Sequence, residues 1–181
     1  MPRVSRALAS VVLAVLCACS GERTGLSPGD KAPDIKGTDS SGAQVSLRQV
    51  QGRAILVNFW ATWCAPCMAE LPALQALYSQ LKDQGFTVVG VAVDDAPDGV
   101  KRAQETFGLT YPIIIDSDSQ SKRRFEVKGL PESFVLNGEQ LVQVVLDPDG
   151  KSGPVTRIIG PREWGQSWAA QVLSSVGASR P

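Results

Sequence analysis

The chain has 181 residues, of which 43% are hydrophobic, and its 18 basic residues balance its 18 acidic ones. This length supports one domain with a substantial core. The balanced charge gives no reason to expect a nucleic-acid partner. Histidine, the commonest metal ligand, is absent from the sequence, and we predict neither a metal site nor another cofactor.

The N-terminus has the pattern of an export signal. Arg3 and Arg6 precede the uncharged residues 7–21, a run shorter than the roughly 20 residues that span a bilayer. Within it, Leu-Cys-Ala-Cys resembles the bacterial lipobox, in which the final cysteine is lipidated. We therefore predict a signal peptide over 1–19 that ends at a lipidated Cys19. Cleavage at a plain Ala-x-Ala site is the competing interpretation. Residues 20–30 are predicted to form a tether and residues 31–181 a single domain.

The remaining elements follow from hydrophobic periodicity and turn residues. A hairpin is predicted over 34–47 with its turn at 39–42. The predicted strands are 54–60, 87–93, 113–115, 133–136, 141–146 and 155–159, and the predicted helices are 64–84, 99–107, 119–126 and 162–176. This order predicts an α/β fold with a mixed central sheet flanked by helices and preceded by the hairpin.

The most informative motif is Trp-Cys-Ala-Pro-Cys at 63–67, between a buried strand and a helix. Two cysteines at this spacing can close a small disulfide ring and reopen it. The N-terminus of a helix favours a thiolate, which makes one cysteine a nucleophile and leaves the other to resolve a mixed disulfide. If Cys19 is lipidated and Cys17 removed, Cys64 and Cys67 are the only cysteines left for the folded domain. A structural zinc site would then lack ligands.

These features resemble the thioredoxin superfamily, specifically its TlpA/ResA-like, membrane-tethered extracytoplasmic branch. Residues 57–67 are similar to the family's active-site segment, with Glu70 and Pro72 at the expected spacings. Gly-Leu-Pro-Glu-Ser-Phe at 129–134 resembles its cis-proline loop, and Gly160-Pro161 with Trp164 resembles the start of its last helix. The resemblance covers about residues 31–176. There are two departures: Asn58 replaces the buried aspartate of classical thioredoxins, and the stretch 137–155 is longer than one hairpin turn.

The resemblance assigns roles to individual residues. Cys64 would attack, Cys67 would resolve, and the two would form the redox disulfide. Glu70 would shuttle protons to the buried thiol, although an acidic residue early in a helix is also stabilised there by the dipole alone. Pro131 would be cis, with the Leu130 backbone and Trp63 contacting the substrate, while Ala65 and Pro66 would tune the potential.

The function predicted from these roles is that of an exported, lipid-anchored thiol–disulfide oxidoreductase that acts as a monomer. Its partners would be protein thiol or disulfide substrates and a membrane thiol donor. The family resemblance favours the reducing direction, for example in cytochrome c maturation or metal-site assembly. One alternative is a peroxiredoxin-type peroxidase, which the closely spaced cysteine pair argues against. The other is a Cu(I)-binding chaperone, for which a histidine would be usual.

Overall fold

The computed structural model describes residues 25–93 and 96–178. Within these ranges the strands are β1 Lys36–Thr38, β2 Gln44–Ser46, β3 Ala54–Trp60, β4 Phe86–Val93, β5 Ile113–Asp116, β6 Glu132–Asn137, β7 Val145–Leu146, β8 Pro154–Val155 and β9 Ile158–Ile159. The helices are α1 Ala65–Leu81, α2 Pro97–Phe107, α3 Gln120–Arg124 and α4 Gln166–Ala178. The predicted signal segment and Cys19 lie outside the described residues.

A seven-stranded mixed sheet in the order β2-β1-β5-β4-β3-β6-β9 forms the centre of the fold. The strands β3, β4 and β5 are parallel, and β6 runs antiparallel to β3. Every residue of β3 is buried, which explains why its sequence is apolar except at Asn58: both faces of a central parallel strand are covered by helices. The predicted mixed sheet flanked by helices is confirmed.

The N-terminal hairpin extends this sheet at one edge. Strands β1 and β2 pair antiparallel, and β1 joins β5 through Thr38. The turn between β1 and β2 is closed by Asp39, whose carboxylate accepts hydrogen bonds from the backbone of Ser41 and Ala43. Just upstream, the amide of Gly29 donates to the carbonyl of Val142 at 2.8 Å. The predicted tether therefore contacts the rest of the fold at Gly29.

Three predicted boundaries in the C-terminal part are wrong. The predicted strand 141–146 is divided: Leu141 makes a single bridge to Lys31 and Val142 one to Leu136 of β6, and β7 then pairs with β8 in a separate two-stranded sheet. The predicted strand 155–159 is likewise divided between β8 and β9. The last helix begins at Gln166 rather than at residue 162, and its first hydrogen bond runs from the amide of Ala169 to the carbonyl of Gly165.

The core lies on both faces of the central sheet. Phe59, Phe125 and Phe134 form an aromatic cluster on one face, with ring centroids 5.1–6.0 Å apart. On the other side, Trp168 of α4 contacts Phe86 edge-on. Across the described ranges, none of the helices has both the length and the apolar character needed to cross a membrane.

Candidate functional site: a disulfide at the start of a helix

Cys64 and Cys67 form a disulfide in the first turn of α1, directly after the carboxyl end of β3. Cys64 is the N-cap residue, and its sulfur accepts a hydrogen bond from the amide of Cys67 at 3.3 Å. Pro66 lies in the first turn, where its missing N–H leaves no helical bond unmade. Unpaired N–H groups and the helix dipole therefore favour negative charge on the Cys64 sulfur when the disulfide is open.

The two sulfur-bearing residues differ in exposure. Cys64 is 6% exposed and Cys67 is 0% exposed. The preceding Trp63 is 63% exposed, whereas Trp60, at the end of β3, is entirely buried. Cys64 is thus the more accessible cysteine of the pair, and it follows directly after an exposed indole.

The pairing of β6 with β3 places the loop 128–131 at the end of the sheet where the disulfide lies. Glu132 pairs with Phe59 at the carboxyl end of β3, so Pro131 and the disulfide come to the same end of the sheet. The Leu130–Pro131 peptide bond is cis. Pro131 is buried and Leu130 is half-buried. The register thereby brings the two motifs that the sequence places far apart to one end of the sheet.

Buried Glu132 fixes the backbone of this loop. Its carboxylate accepts hydrogen bonds from the amides of Lys128, at 2.7 Å, and Gly129, at 3.4 Å. The other carboxylate oxygen lies 3.0 Å from Nη1 of Arg157 in an ion pair that lacks hydrogen-bond geometry, and Nη1 donates a hydrogen bond to the carbonyl of Glu126. Neither Glu132 nor Arg157 was predicted as a site residue, since a partner so distant in sequence leaves no local signal.

Glu70 lies beneath the disulfide on α1 and is only 4% exposed. Its Oε1 accepts a hydrogen bond of 2.8 Å from Nδ2 of Asn58. Its Oε2 accepts one of 3.2 Å from the amide of Arg162 and one of 3.1 Å from the indole Nε1 of Trp164. Burial raises the pKa of the Glu70 carboxyl above its ordinary value, and the three donors together with the charge of Arg162 oppose that rise only in part.

Asn58 connects the central strand to this carboxylate. Its Nδ2 also lies 3.0 Å from the hydroxyl of Ser133, its pairing partner on β6. Its Oδ1 accepts no hydrogen bond within the described part of the chain. Asn58 therefore donates hydrogen bonds to both Glu70 and Ser133 and so helps to hold the Glu70 carboxylate in place.

Tyr111 is a further polar group near Glu70 that the sequence did not indicate. Its ring packs edge-on against Tyr78, with centroids 6.0 Å apart. Burial, followed by the negative charge of Glu70, raises the pKa of the Tyr111 hydroxyl. The phenol therefore stays neutral, and a carboxylate and a phenol share one poorly solvated region under the disulfide.

Among the described residues, no group of three or more His, Cys, Asp or Glu side chains is arranged to hold a metal ion. The Cys64–Cys67 pair itself supports thiol–disulfide chemistry. A disulfide at a helix start, next to a cis-proline loop on the neighbouring strand of a mixed sheet, defines a thioredoxin-fold thiol–disulfide oxidoreductase.

The comparisons with known proteins support the same class of protein. The chain belongs to the AhpC/TSA family, whose profile matches residues 28–145. Thiol-disulfide oxidoreductase ResA of Geobacillus kaustophilus is 38% identical over 120 residues, which cover 65% of this chain and 69% of that protein. ResA of Bacillus subtilis is 33% identical over 121 residues, which cover 66% of this chain and 68% of that protein.

Solved structures show the same fold. The thioredoxin domain of a thiol-disulfide oxidoreductase from Bacteroides vulgatus matches with a TM-score of 0.65 and 26% identity, over 84% of this chain and 99% of that one. A thioredoxin-family thiol:disulfide interchange protein from Chlorobium tepidum matches with a TM-score of 0.63 and 28% identity, over 83% and 97%. The predicted enzyme class and the thioredoxin fold are thus confirmed.

Proposed function

We propose that this oxidoreductase is exported, lipid-anchored and monomeric, and that it reduces disulfides of protein substrates. One observation supports the disulfide-exchange part of the proposal most directly. Cys64 is more exposed than Cys67 within the disulfide, and Glu70 is buried on the same helix. The resemblance to the TlpA/ResA-like branch supports the reducing direction. It also suggests cysteines of apocytochrome c or of a metal-site assembly protein as the substrates.

In the proposed reaction the Cys64 thiolate attacks one sulfur of the substrate disulfide. A Cys64–substrate disulfide forms, and the other substrate sulfur leaves as a thiolate that takes up a proton. Cys67 then loses its proton and attacks the Cys64 sulfur, which closes the Cys64–Cys67 disulfide and releases the second substrate thiol. Two electrons pass to the substrate, and an extracytoplasmic membrane thiol donor restores the dithiol.

Glu70 is the proposed acceptor of the Cys67 proton. The two residues are three positions apart on α1, a spacing that brings side chains onto one helix face. A carboxyl with a raised pKa can take and return a proton closer to neutral pH than an exposed one. Its negative charge also disfavours a nearby thiolate, which would make the reduced form less stable and the pair more reducing.

The substrate would contact the surface formed by Trp63, Leu130 and Pro131. The exposed indole of Trp63 offers apolar contact area beside Cys64. Leu130 would supply backbone hydrogen bonds to an extended peptide. Ala65 and Pro66, between the two cysteines, would tune the potential, since they set the local backbone around both sulfurs.

Trapping the mixed disulfide tests the order of attack. Cys67→Ser cannot resolve the intermediate, so the reduced variant should accumulate a covalent complex with a disulfide-bonded peptide, detected by mass spectrometry. Cys64→Ser is the matched control and should form none. Equal trapping by both variants would contradict the assignment of Cys64 as the nucleophile. Rapid thiol-dependent peroxide consumption, or tight stoichiometric binding of Cu(I), would instead favour one of the two alternative functions.

The lipid anchor has its own test. When cells expressing the full chain are fed an alkyne-bearing fatty acid, label should enter the wild type and Cys17→Ser but not Cys19→Ser. The unlabelled Cys19→Ser protein should also leave the membrane fraction. Label that persists in Cys19→Ser would contradict the proposed anchor without affecting the proposed redox chemistry.

A further inference from the structure

A partly buried ion pair joins the long segment after β6 to the loop that precedes α4. Nε of Arg162 lies 2.8 Å from Oδ1 of Asp147, and Nη2 lies 3.4 Å from Oδ2. Asp147 is 4% exposed, and Asp149 adds a second carboxylate 3.5 Å from Nε. Such forked contacts fix the guanidinium in orientation as well as in position.

The same loop holds Glu70. The main-chain amide of Arg162 and the indole of Trp164 supply both hydrogen bonds to Oε2 of Glu70. A second connection reinforces the arrangement: Trp168 packs on Trp164 with centroids 5.2 Å apart, and its Nε1 donates to the carbonyl of Leu146 at 2.7 Å. Residues 146–149 are therefore linked to both donors that hold one side of the Glu70 carboxylate.

We propose that Asp147 is a positioning residue for Glu70: by fixing Arg162, it keeps two hydrogen-bond donors aimed at the buried carboxylate and so sets the pH range in which Glu70 exchanges its proton. The inference rests on the proposed proton transfer by Glu70 and gives the segment 137–155 a role in that chemistry.

Several groups face Glu70 and affect its ionisation. Asn58 and Trp164 are neutral donors, Arg162 is cationic, Tyr111 is a neutral phenol, and the cysteine pair lies on the same helix. Beyond Glu70 opens a cleft of about 1030 Å³ that Asp149, Lys151 and Glu163 also line. The hydrogen bond from Arg162 lowers the pKa of Asp147, so Asp147 stays ionised at neutral pH. The ion pair therefore holds Arg162 in place throughout the neutral pH range.

The test follows the Glu70 carboxyl directly by ¹³C NMR titration of the oxidised full chain, in which neither Cys64 nor Cys67 titrates. In Asp147→Asn and in Arg162→Met the donors are no longer held, so the midpoint of Glu70 should move upward. Arg48→Met is the control: it removes the guanidinium of an exposed arginine, which bonds Gln140 and the Ala32 carbonyl instead of residues of the loop 160–165. Its Glu70 midpoint should stay at the wild-type value.

The exchange reaction supplies a second readout. At the pH of the wild-type midpoint, Asp147→Asn should slow disulfide exchange roughly fivefold, the equivalent of about one lost hydrogen bond, and the rate should recover at alkaline pH. In a Glu70→Gln background, Asp147→Asn should not change the pH dependence of the disulfide-exchange rate. A structural role alone would lower the rate at every pH.

Two outcomes would overturn the inference. A midpoint that moves no more than in Arg48→Met would show that Asp147 does not position Glu70. A downward move in Asp147→Asn would show that Asp147 acts through its own charge instead. If Arg162→Met fails to fold, the nearly isosteric Asp147→Asn decides alone. If the Glu70 midpoint moves upward as expected but the pH dependence of the disulfide-exchange rate does not change, Asp147 does position Glu70. The proposed proton transfer by Glu70 is then wrong.

Discussion

Asn58 and Glu70 are joined by a 2.8 Å hydrogen bond between the side-chain amide and the carboxylate, and both side chains are buried. Asn58 belongs to the central strand and Glu70 to the helix that carries the disulfide. Because little water reaches the carboxylate, the protein donors around it determine how readily it ionises. The ionisation of the proposed proton acceptor therefore depends on residues from the strand, the helix and the loop before α4.

Replacing Asn58 with aspartate would place two carboxylates in contact at a buried site. We expect Asn58→Asp to titrate with Glu70 in two coupled steps, with the upper midpoint above that of Glu70 in the wild type, because both groups cannot be ionised there without repulsion. ¹³C NMR of the carboxyl groups measures both steps. Asn137→Asp is the control. Asn137 lies on β6, and its side-chain oxygen accepts hydrogen bonds from the amides of Glu139 and Leu141, contacts that an aspartate can also make. An unchanged Glu70 midpoint in Asn58→Asp would contradict the interpretation.

The raised pKa of Glu70 predicts a pH-dependent stability difference. The folded protein binds this proton more tightly than the unfolded chain, so the stability contribution is present at low pH. It is lost as the pH rises from the ordinary value of 4.5 through the folded-state pKa. Glu70→Gln does not titrate, so its free energy of unfolding relative to wild type should increase across this window, by up to about 1.4 kcal/mol per pH unit.

Urea denaturation of the oxidised proteins at a series of pH values measures this difference. The control is Glu139→Gln, which removes one negative charge at an exposed position. A difference between Glu70→Gln and wild type that stays flat, or that falls with rising pH, would show that burial does not dominate the ionisation of Glu70.

The two tryptophans at the end of β3 should respond differently to truncation. Trp63→Ala removes an exposed side chain and should change the free energy of unfolding by no more than about 0.5 kcal/mol. Trp60→Ala empties a fully buried site and should cost about 3–5 kcal/mol. The KM for a disulfide-bonded peptide should rise in Trp63→Ala while kcat is retained. A normal KM in that variant would remove Trp63 from the proposed substrate surface.

Gly90 lies where a side chain has no room. A Cβ there would be 2.9 Å from Nε1 of Trp60 and 3.1 Å from Cε2 of Tyr111, so Gly90→Ala should lower the free energy of unfolding by about 1–3 kcal/mol. Thermal and urea unfolding measure the loss. In Gly153→Ala the new Cβ has no neighbour within 4 Å, and this matched variant should be nearly neutral. Equal stability of the two variants would mean that the packing around Trp60 is looser than described.

The parts of the site that the sequence predicts are those encoded locally. The spacing of Cys64 and Cys67, their place at a helix start and the helical spacing to Glu70 are all visible within one short segment. The resemblance to a family added the loop around Pro131. The register of β6 against β3, which brings that loop to the disulfide, follows only from the structure.

The partners of Glu70 were harder to predict because they depend on tertiary packing. Arg162 contributes a main-chain amide, which any residue except proline carries, so its residue type gives no signal of this contact. The divided strands between 141 and 159 have a related cause, since apolar alternation predicts a strand but does not say which sheet it joins.

The most direct test of the proposed reducing role is the reduction potential of the Cys64–Cys67 pair. The purified protein can be equilibrated in a series of thiol–disulfide buffers, with the fluorescence of Trp60 and Trp63 as the readout. A single two-electron transition at about −220 mV or below is the predicted result. A transition near about −120 mV would contradict it, because a pair with that potential donates its disulfide to substrates instead of reducing theirs.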